Sequence, residues 1–87
     1  MSEPYEVFLR SEAIEALSNI RGSSRRRIAA FIDSLKSNPF QLGDYPIQDN
    51  TGRGIYIKIV GAFAVTYWAD HAVKEIRVTD IRSADRP

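Results

Sequence analysis

"IYIKIVGAFAVTYWADHAVKEIRV", residues 55–78, holds three runs of side-chain alternation separated by two tight turns. Isoleucine at 55, 57 and 59 alternates with Tyr56, Lys58 and Val60. Phe63, Val65 and Tyr67 then alternate with Ala64, Thr66 and Trp68, and Ile76 and Val78 alternate with Glu75, Arg77 and Thr79. A period of two is the mark of a strand with one buried face. Joined by "VGA" and "ADHA", strands over 54–60, 63–69 and 73–80 have to pair antiparallel. The alternation predicts that Ile55, Ile57 and Ile59 pack into the core with Phe63, Val65 and Tyr67. Tyr56, Lys58, Thr66, Trp68, Glu75 and Arg77 would then gather on the far face, mixed, aromatic and charged.

Upstream, "YEVFLR" at 5–10 alternates Tyr5, Val7 and Leu9 with Glu6, Phe8 and Arg10, which predicts a first strand. Ser11 is placed to cap a helix with Glu12 and Glu15 near its positive end, an apolar stripe of Ala13, Ala16, Leu17 and Ile20, and Gly22 as its stop. Ser23 or Ser24 would cap a second helix. Its Ile28, Phe31, Ile32 and Leu35 fall at helical spacing, and Asn38-Pro39 ends it. So short a connection makes the two helices an antiparallel hairpin whose apolar faces need a sheet. Residues 39–54, "PFQLGDYPIQDNTGRG", read as a loop with a short extended piece around Tyr45. The expectation is one α+β domain over 1–87, of order β-α-α-β-β-β, with both helices on one face of a curved antiparallel sheet.

Composition narrows the function classes. With 44% apolar and 26% charged residues in 87, the chain suits one small folded core, and so small a domain gains from any partner that covers more apolar surface. There is no cysteine, which removes disulfides and thiol chemistry, and no apolar run long enough to span a bilayer; a cytoplasmic protein without membrane contact is expected. The net charge of +1 makes the whole chain a poor polyanion binder. The local exception is "RGSSRRR" at 21–27: Arg25, Arg26 and Arg27 stand in the first turn of a helix, where positive charge is disfavoured, so they are candidates for binding an acidic segment or nucleic acid. A solvated basic face explains them equally well.

The single histidine, His71, sits at a hairpin tip, which argues against acid–base work. Asp70, Asp80 and Asp85 are not spaced to gather on a metal, so neither metal nor cofactor is expected. "GRG" at 52–54 precedes a strand and therefore makes no phosphate loop, although Arg53 within it is placed to reach a backbone phosphate.

Taken together, the order of elements, "NPF" after the second helix, "GDY" before the sheet, the 55–78 stretch and the ending "IRSADR" resemble the RelE/ParE superfamily of bacterial toxins, over nearly the whole chain. The resemblance implies a toxin of a type II toxin–antitoxin system in a hetero-oligomer with its cognate antitoxin. RelE-like members cut messenger RNA on the ribosome without metal, using basic sheet residues to stabilise the phosphate's developing charge. ParE-like members poison DNA gyrase, and some relatives are non-toxic binding modules.

Carried over by position, the nuclease role falls on Lys58 in "YIKI", with Arg77 and Arg82; Arg53, Arg25, Arg26, Arg27 and Arg86 would bind the target, and Tyr56, Trp68 and Phe31 the antitoxin. Lys58 also has the plain reading of a solvated strand residue. Two departures move weight toward gyrase or another cellular target. "AFA" puts Ala64 where RelE-like nucleases have an arginine, and no tyrosine or histidine follows "SADR" to serve as acid or base. The expectation as a whole hangs on a two-layer fold that displays Lys58 on the open side of the sheet; an inward Lys58, or no such two layers, would count against it.

Overall fold

The computed structural model describes residues 4–48 and 54–84. Its elements are β1 (Glu6–Leu9), α1 (Ser11–Ser18), α2 (Gly22–Ser37), β2 (Tyr45–Gln48), β3 (Gly54–Val60), β4 (Phe63–Asp70) and β5 (Glu75–Ser83). The strands make one sheet in the order β1-β5-β4-β3-β2. Neighbours are antiparallel except β1, which runs parallel to β5. The expected α+β layout is present, and the extended piece near Tyr45 becomes the edge strand β2.

The helix ends differ from expectation in detail. Ser11 is the first residue of α1, not its cap; Arg10 holds the cap position in extended conformation without a side-chain bond. The Ser11 hydroxyl donates instead to Glu12, at 3.1 Å. Helix α1 stops at Ser18, short of Gly22, where the Ser18 hydroxyl and the Asn19 amide both donate to the Glu15 carbonyl, at 2.7 and 3.1 Å. Side chains thus satisfy a carbonyl that the helix end leaves open. Gly22, at φ 66°, opens α2 behind Arg21, and neither Ser23 nor Ser24 caps it.

Ile28, Ile32 and Leu35 of α2, with Ala13 and Ile20, close over Val65, Tyr67, Ile76, Val78 and Ile81; all ten are buried. Each large side chain among them contributes roughly 1.5–3 kcal/mol relative to exposure. The periodicity at 28, 32 and 35 therefore does what it predicts. Strand β5 runs from Glu75 to Ser83, where 73–80 was expected, and contains a bulge. Thr66 pairs with Asp80 while Tyr67 pairs with Val78, so Thr79 is extra. Uninterrupted alternation would bury Asp80 and expose Ile81; the added residue changes the phase and puts Ile81 inside.

The faces of β3 are the reverse of those expected. Gly61, at φ 60°, and Ala62 form a two-residue turn that sets Val60 opposite Phe63, Lys58 opposite Val65 and Tyr56 opposite Tyr67. Residues directly opposite share a face. Val65 and Tyr67 are buried beneath the helices, so Tyr56, Lys58 and Val60 lie on the helix side, and Tyr56 and Val60 pack against the core. Ile55, Ile57 and Ile59 stand on the open side with Ala64, Thr66 and Trp68.

Candidate functional site

The open side of the sheet carries a groove of about 510 Å3 whose floor is Ile47, Ile57, Ala64 and Thr66, with Arg10, Glu12, Asp80 and Arg82 around it. Pairing places each contributor: Ile47 lies opposite Ile55 across β2 and β3, and Ala64 lies opposite Arg82 across β4 and β5. A second hollow continues along the face between Phe8, Trp68, Arg77 and Thr79 and shares Arg10 with the first. The Arg77 guanidinium stands 5.5 Å from the centre of the Phe8 ring.

Each arginine of this face has a carboxylate two residues away on the same side. Arg10 Nε is 3.7 Å from Glu12 Oε1, Arg77 Nη2 donates to Glu75 Oε1 at 2.6 Å, and Arg82 Nε donates to Asp80 Oδ2. The N–H of Glu12 itself, the Ser11 hydroxyl and Arg10 hold the Glu12 carboxyl below its ordinary range. The groove is therefore charge-balanced over an apolar floor. Arg10 was no candidate from the sequence. The available signal was its position, one residue past a strand and at the start of a helix.

Lys58 is on the other side of the sheet from Arg77 and Arg82, so the three do not converge on one phosphate. Its ammonium lies 3.5 Å from Asp44 Oδ1 in a half-buried pair. The second oxygen of Asp44 accepts the backbone N–H of Ile59 at 2.7 Å, and the Asp44 N–H donates to the Ile57 carbonyl at 2.8 Å. Strand β2 pairs with β3 only from Gly54 to Ile57. Asp44 thus supplies a partner to a strand N–H beyond the reach of β2. Gly43 is needed beside it, because a Cβ there would lie 2.7 Å from the Ile57 carbonyl oxygen and 2.8 Å from Tyr56 Cβ. The "GDY" stretch is, in this chain, a clamp on the edge of β3.

The remaining expected site residues disperse. Arg25 donates to the Leu17 carbonyl at 3.0 Å and so caps the end of α1, while the Arg27 guanidinium packs against the Gly61 turn. Arg25, Arg26 and Arg27 are all exposed. Phe31 meets Tyr67 edge-on at 5.6 Å and Tyr56 lies 6.2 Å from the same ring, both on the helix side, whereas Trp68 is on the open side. These three do not form one surface. His71 is hydrogen-bonded to Tyr5 through Nδ1 at 2.8 Å and stacks on Phe40 at 4.3 Å, tying the hairpin tip to the chain after α2. Arg53 and Arg86 lie outside the described residues. Among the described residues no group of three or more His, Asp or Glu side chains is placed to hold a metal, and no helix is long and apolar enough to cross a membrane.

No protein-family model and no curated protein matches this sequence. Solved structures do match in fold. One chain of the archaeal RelE–RelB complex from Pyrococcus horikoshii is 20% identical and superposes with a TM-score of 0.80, over 95% of this chain and 98% of that one. A chain of the RelBE2 toxin–antitoxin complex of Mycobacterium tuberculosis is 16% identical with a TM-score of 0.75, over 93% and 99%. A chain of the intact E. coli RelBE toxin–antitoxin complex is 12% identical with a TM-score of 0.64, over 94% and 99%. The fold expected from the sequence is the one these chains share.

Proposed function

We propose that this chain is the toxin of a RelE/ParE-type toxin–antitoxin pair, restrained by a cognate antitoxin, and that it arrests growth through a protein target such as DNA gyrase. The observation that carries the pairing is the end-to-end match in fold to chains of three toxin–antitoxin complexes. Fold alone does not choose the activity. The site supports a protein target over RNA cleavage: the open face has isoleucines and Ala64 at its centre, its arginines each carry a carboxylate partner, and Lys58 is held by Asp44 on the opposite side. Stabilising a phosphate's developing charge needs cations converging on one point, and a carboxylate beside each reduces what it can contribute.

A second reading, ribosome-dependent cleavage of messenger RNA, draws support from Arg10, Arg77 and Arg82 sharing one face. Expression without the antitoxin, followed by parallel RNA and DNA readouts, separates the two. A gyrase poison blocks supercoiling in a purified assay and is indifferent to Lys58→Ala. Shortened ribosomal messages that vanish in Arg82→Ala would overturn the proposal in favour of the nuclease. Unimpaired growth at high expression would reduce the chain to a binding module.

A further inference from the structure

We infer that Arg21, Arg25, Arg26 and Arg27, at the start of α2, form a docking patch for the phosphate backbone of duplex DNA, on the helix layer and apart from the groove of the open face. The pattern of ion pairing is the first argument. Arg10, Lys36, Lys58, Arg77 and Arg82 each have a carboxylate partner. Among the described residues, the cations without one are these four arginines and Lys74. Glu15 in α1 and Asp33 farther along α2 come within ion-pair distance of none of the four; Asp33 pairs with Lys36 instead. The imbalance is rooted in the sequence: residues 16–32 hold four arginines and no acid, while the rest of the chain has eight cations against eleven acids. A net charge of +1 thus conceals a cationic pole on an otherwise acidic chain.

The helix spreads these charges outward. Successive helix residues point about 100° apart, so three arginines in a row fan around the start of α2. Arg25 turns toward the end of α1, where it donates to the Leu17 carbonyl at 3.0 Å, and Arg27 turns toward the β3–β4 turn, where it rests against Gly61. Arg26 lies between them, exposed, and Arg21 precedes the helix in extended backbone. A carbonyl and a glycine position two of the guanidiniums without neutralising them. The exposed Ser23 hydroxyl, which does not cap the helix, adds a donor suited to a phosphate oxygen. Four like charges so close together repel one another near the positive end of a helix dipole, so the fold gains nothing by carrying them.

The surroundings of the patch select the occupant. An acidic protein segment needs an apolar anchor at the centre of its interface, and none of the large apolar side chains exposed among the described residues falls within 16–32. A single nucleic-acid strand is held by bases stacked on aromatic rings. Phe31, the one aromatic of this segment, is turned inward on Tyr67, with 5.6 Å between ring centres. An RNA duplex is recognised largely through its 2′-hydroxyls, to which guanidiniums offer no acceptor. The backbone of duplex DNA needs none of these. It carries one charge per ~1.7 Å of axis, so a helix end ~10–12 Å across faces roughly six, and each arginine can grip a phosphate through two N–H groups.

Fluorescence anisotropy of a labelled DNA duplex of about 20 base pairs, titrated with the purified full chain in about 0.1 M salt, tests the inference. The expected Kd lies in the range of about 1–100 μM, and log K should fall against log salt with a slope of about −3 to −4, close to one unit for each of four phosphates. Arg26→Gln should weaken binding about three- to tenfold and reduce the slope by about one, and Arg21→Gln combined with it should weaken binding more than tenfold. Lys36→Gln removes the same charge ten residues along α2, about 15 Å away and beyond the screening length, and should change binding less than twofold. Circular dichroism and a thermal melt should match the parent for Arg26→Gln, whose side chain pairs with no other among the described residues, so its loss of binding is not a loss of fold. No anisotropy change up to about 100 μM protein would overturn the inference, as would a loss for Lys36→Gln equal to that for Arg26→Gln. So would tighter binding to a single strand, to an RNA duplex or to poly-glutamate than to duplex DNA. Whether the chain arrests growth has no bearing on this measurement.

Discussion

The two sides of the sheet use similar residue types to different ends. On the helix side Val65, Tyr67, Ile76, Val78 and Ile81 are sealed by α1 and α2, and Lys58, the one strand cation there among the described residues, lies at the margin and is paired by Asp44. On the open side Ile55, Ile57 and Ile59 have no such cover, and three arginines are each held by an acid nearby. Aliphatic alternation alone therefore does not say which face is the core; cover does. The same lesson holds for charge, because a cation counts as a site only after its intramolecular partners have been subtracted.

The sharpest way to break this comparison is to truncate one isoleucine from each side. Ile28→Ala, beneath the helices, should lower unfolding free energy by about 2–5 kcal/mol, because it leaves a cavity in a closed core. Ile57→Ala should cost about 1 kcal/mol or less when measured on dilute protein, as its side chain keeps one side free. Urea denaturation of both variants checks this, and equal losses would mean that the open face is as closed as the core.

A smaller effect separates Asp44 from Lys58. Asp44→Ala removes the acceptor for the Ile59 N–H as well as the ion pair and should cost about 1–3 kcal/mol. Lys58→Ala removes only a half-exposed ion pair and should cost about 0.2–1 kcal/mol. A double-mutant cycle gives their coupling, and a larger loss for Lys58 than for Asp44 would refute the clamp.

Tyr67 tests the helix side through pH. Burial, with Tyr56 and Asp44 nearby, pushes its phenol up from 10.0 to about 12, while its hydroxyl donates to the Gln41 carbonyl at 3.2 Å. A raised folded-state pKa means that the protonated form is the one the fold prefers. Its contribution is complete below pH 10 and is lost as pH climbs through about 12. Ultraviolet titration should show one of the four tyrosines ionising late, and Tyr67→Phe should abolish that step.

The smallest expected change is a gain. Lys74 has φ 56° in the turn before β5, a conformation that favours glycine. Lys74→Gly should stabilise the chain by at most about 1 kcal/mol, since relief of strain is offset by the freer unfolded chain, and a thermal melt would detect it.

Much of the fold was legible. Helical spacing at 28, 32 and 35 marked the buried stripe of α2, and the turns read at "VGA" and "ADHA" marked an antiparallel meander, the second turn lying two residues later, at 71–74. The site was less so. Placing both Ile57 and Val65 in the core conflicts with a two-residue turn, which pairs Val65 with Lys58, so the face of β3 was readable from turn length, a stronger constraint than side-chain hydrophobicity. The partners of the arginines were half legible: Glu75 and Arg77 alternate onto one face, but Asp80 and Arg82 reach that face only through the bulge at Thr79. The clamp from Asp44 to Ile59 spans fifteen residues and left no local pattern.

By itself, then, the sequence determined which segments are helix and strand, and that they form two layers, because those follow from spacing along the chain and from turn chemistry. Only the tertiary structure decided where Ile81 points and whether Lys58 is available. Each of these depends on register and pairing between segments, and a one-residue change in either exchanges the two faces of a strand without altering its pattern.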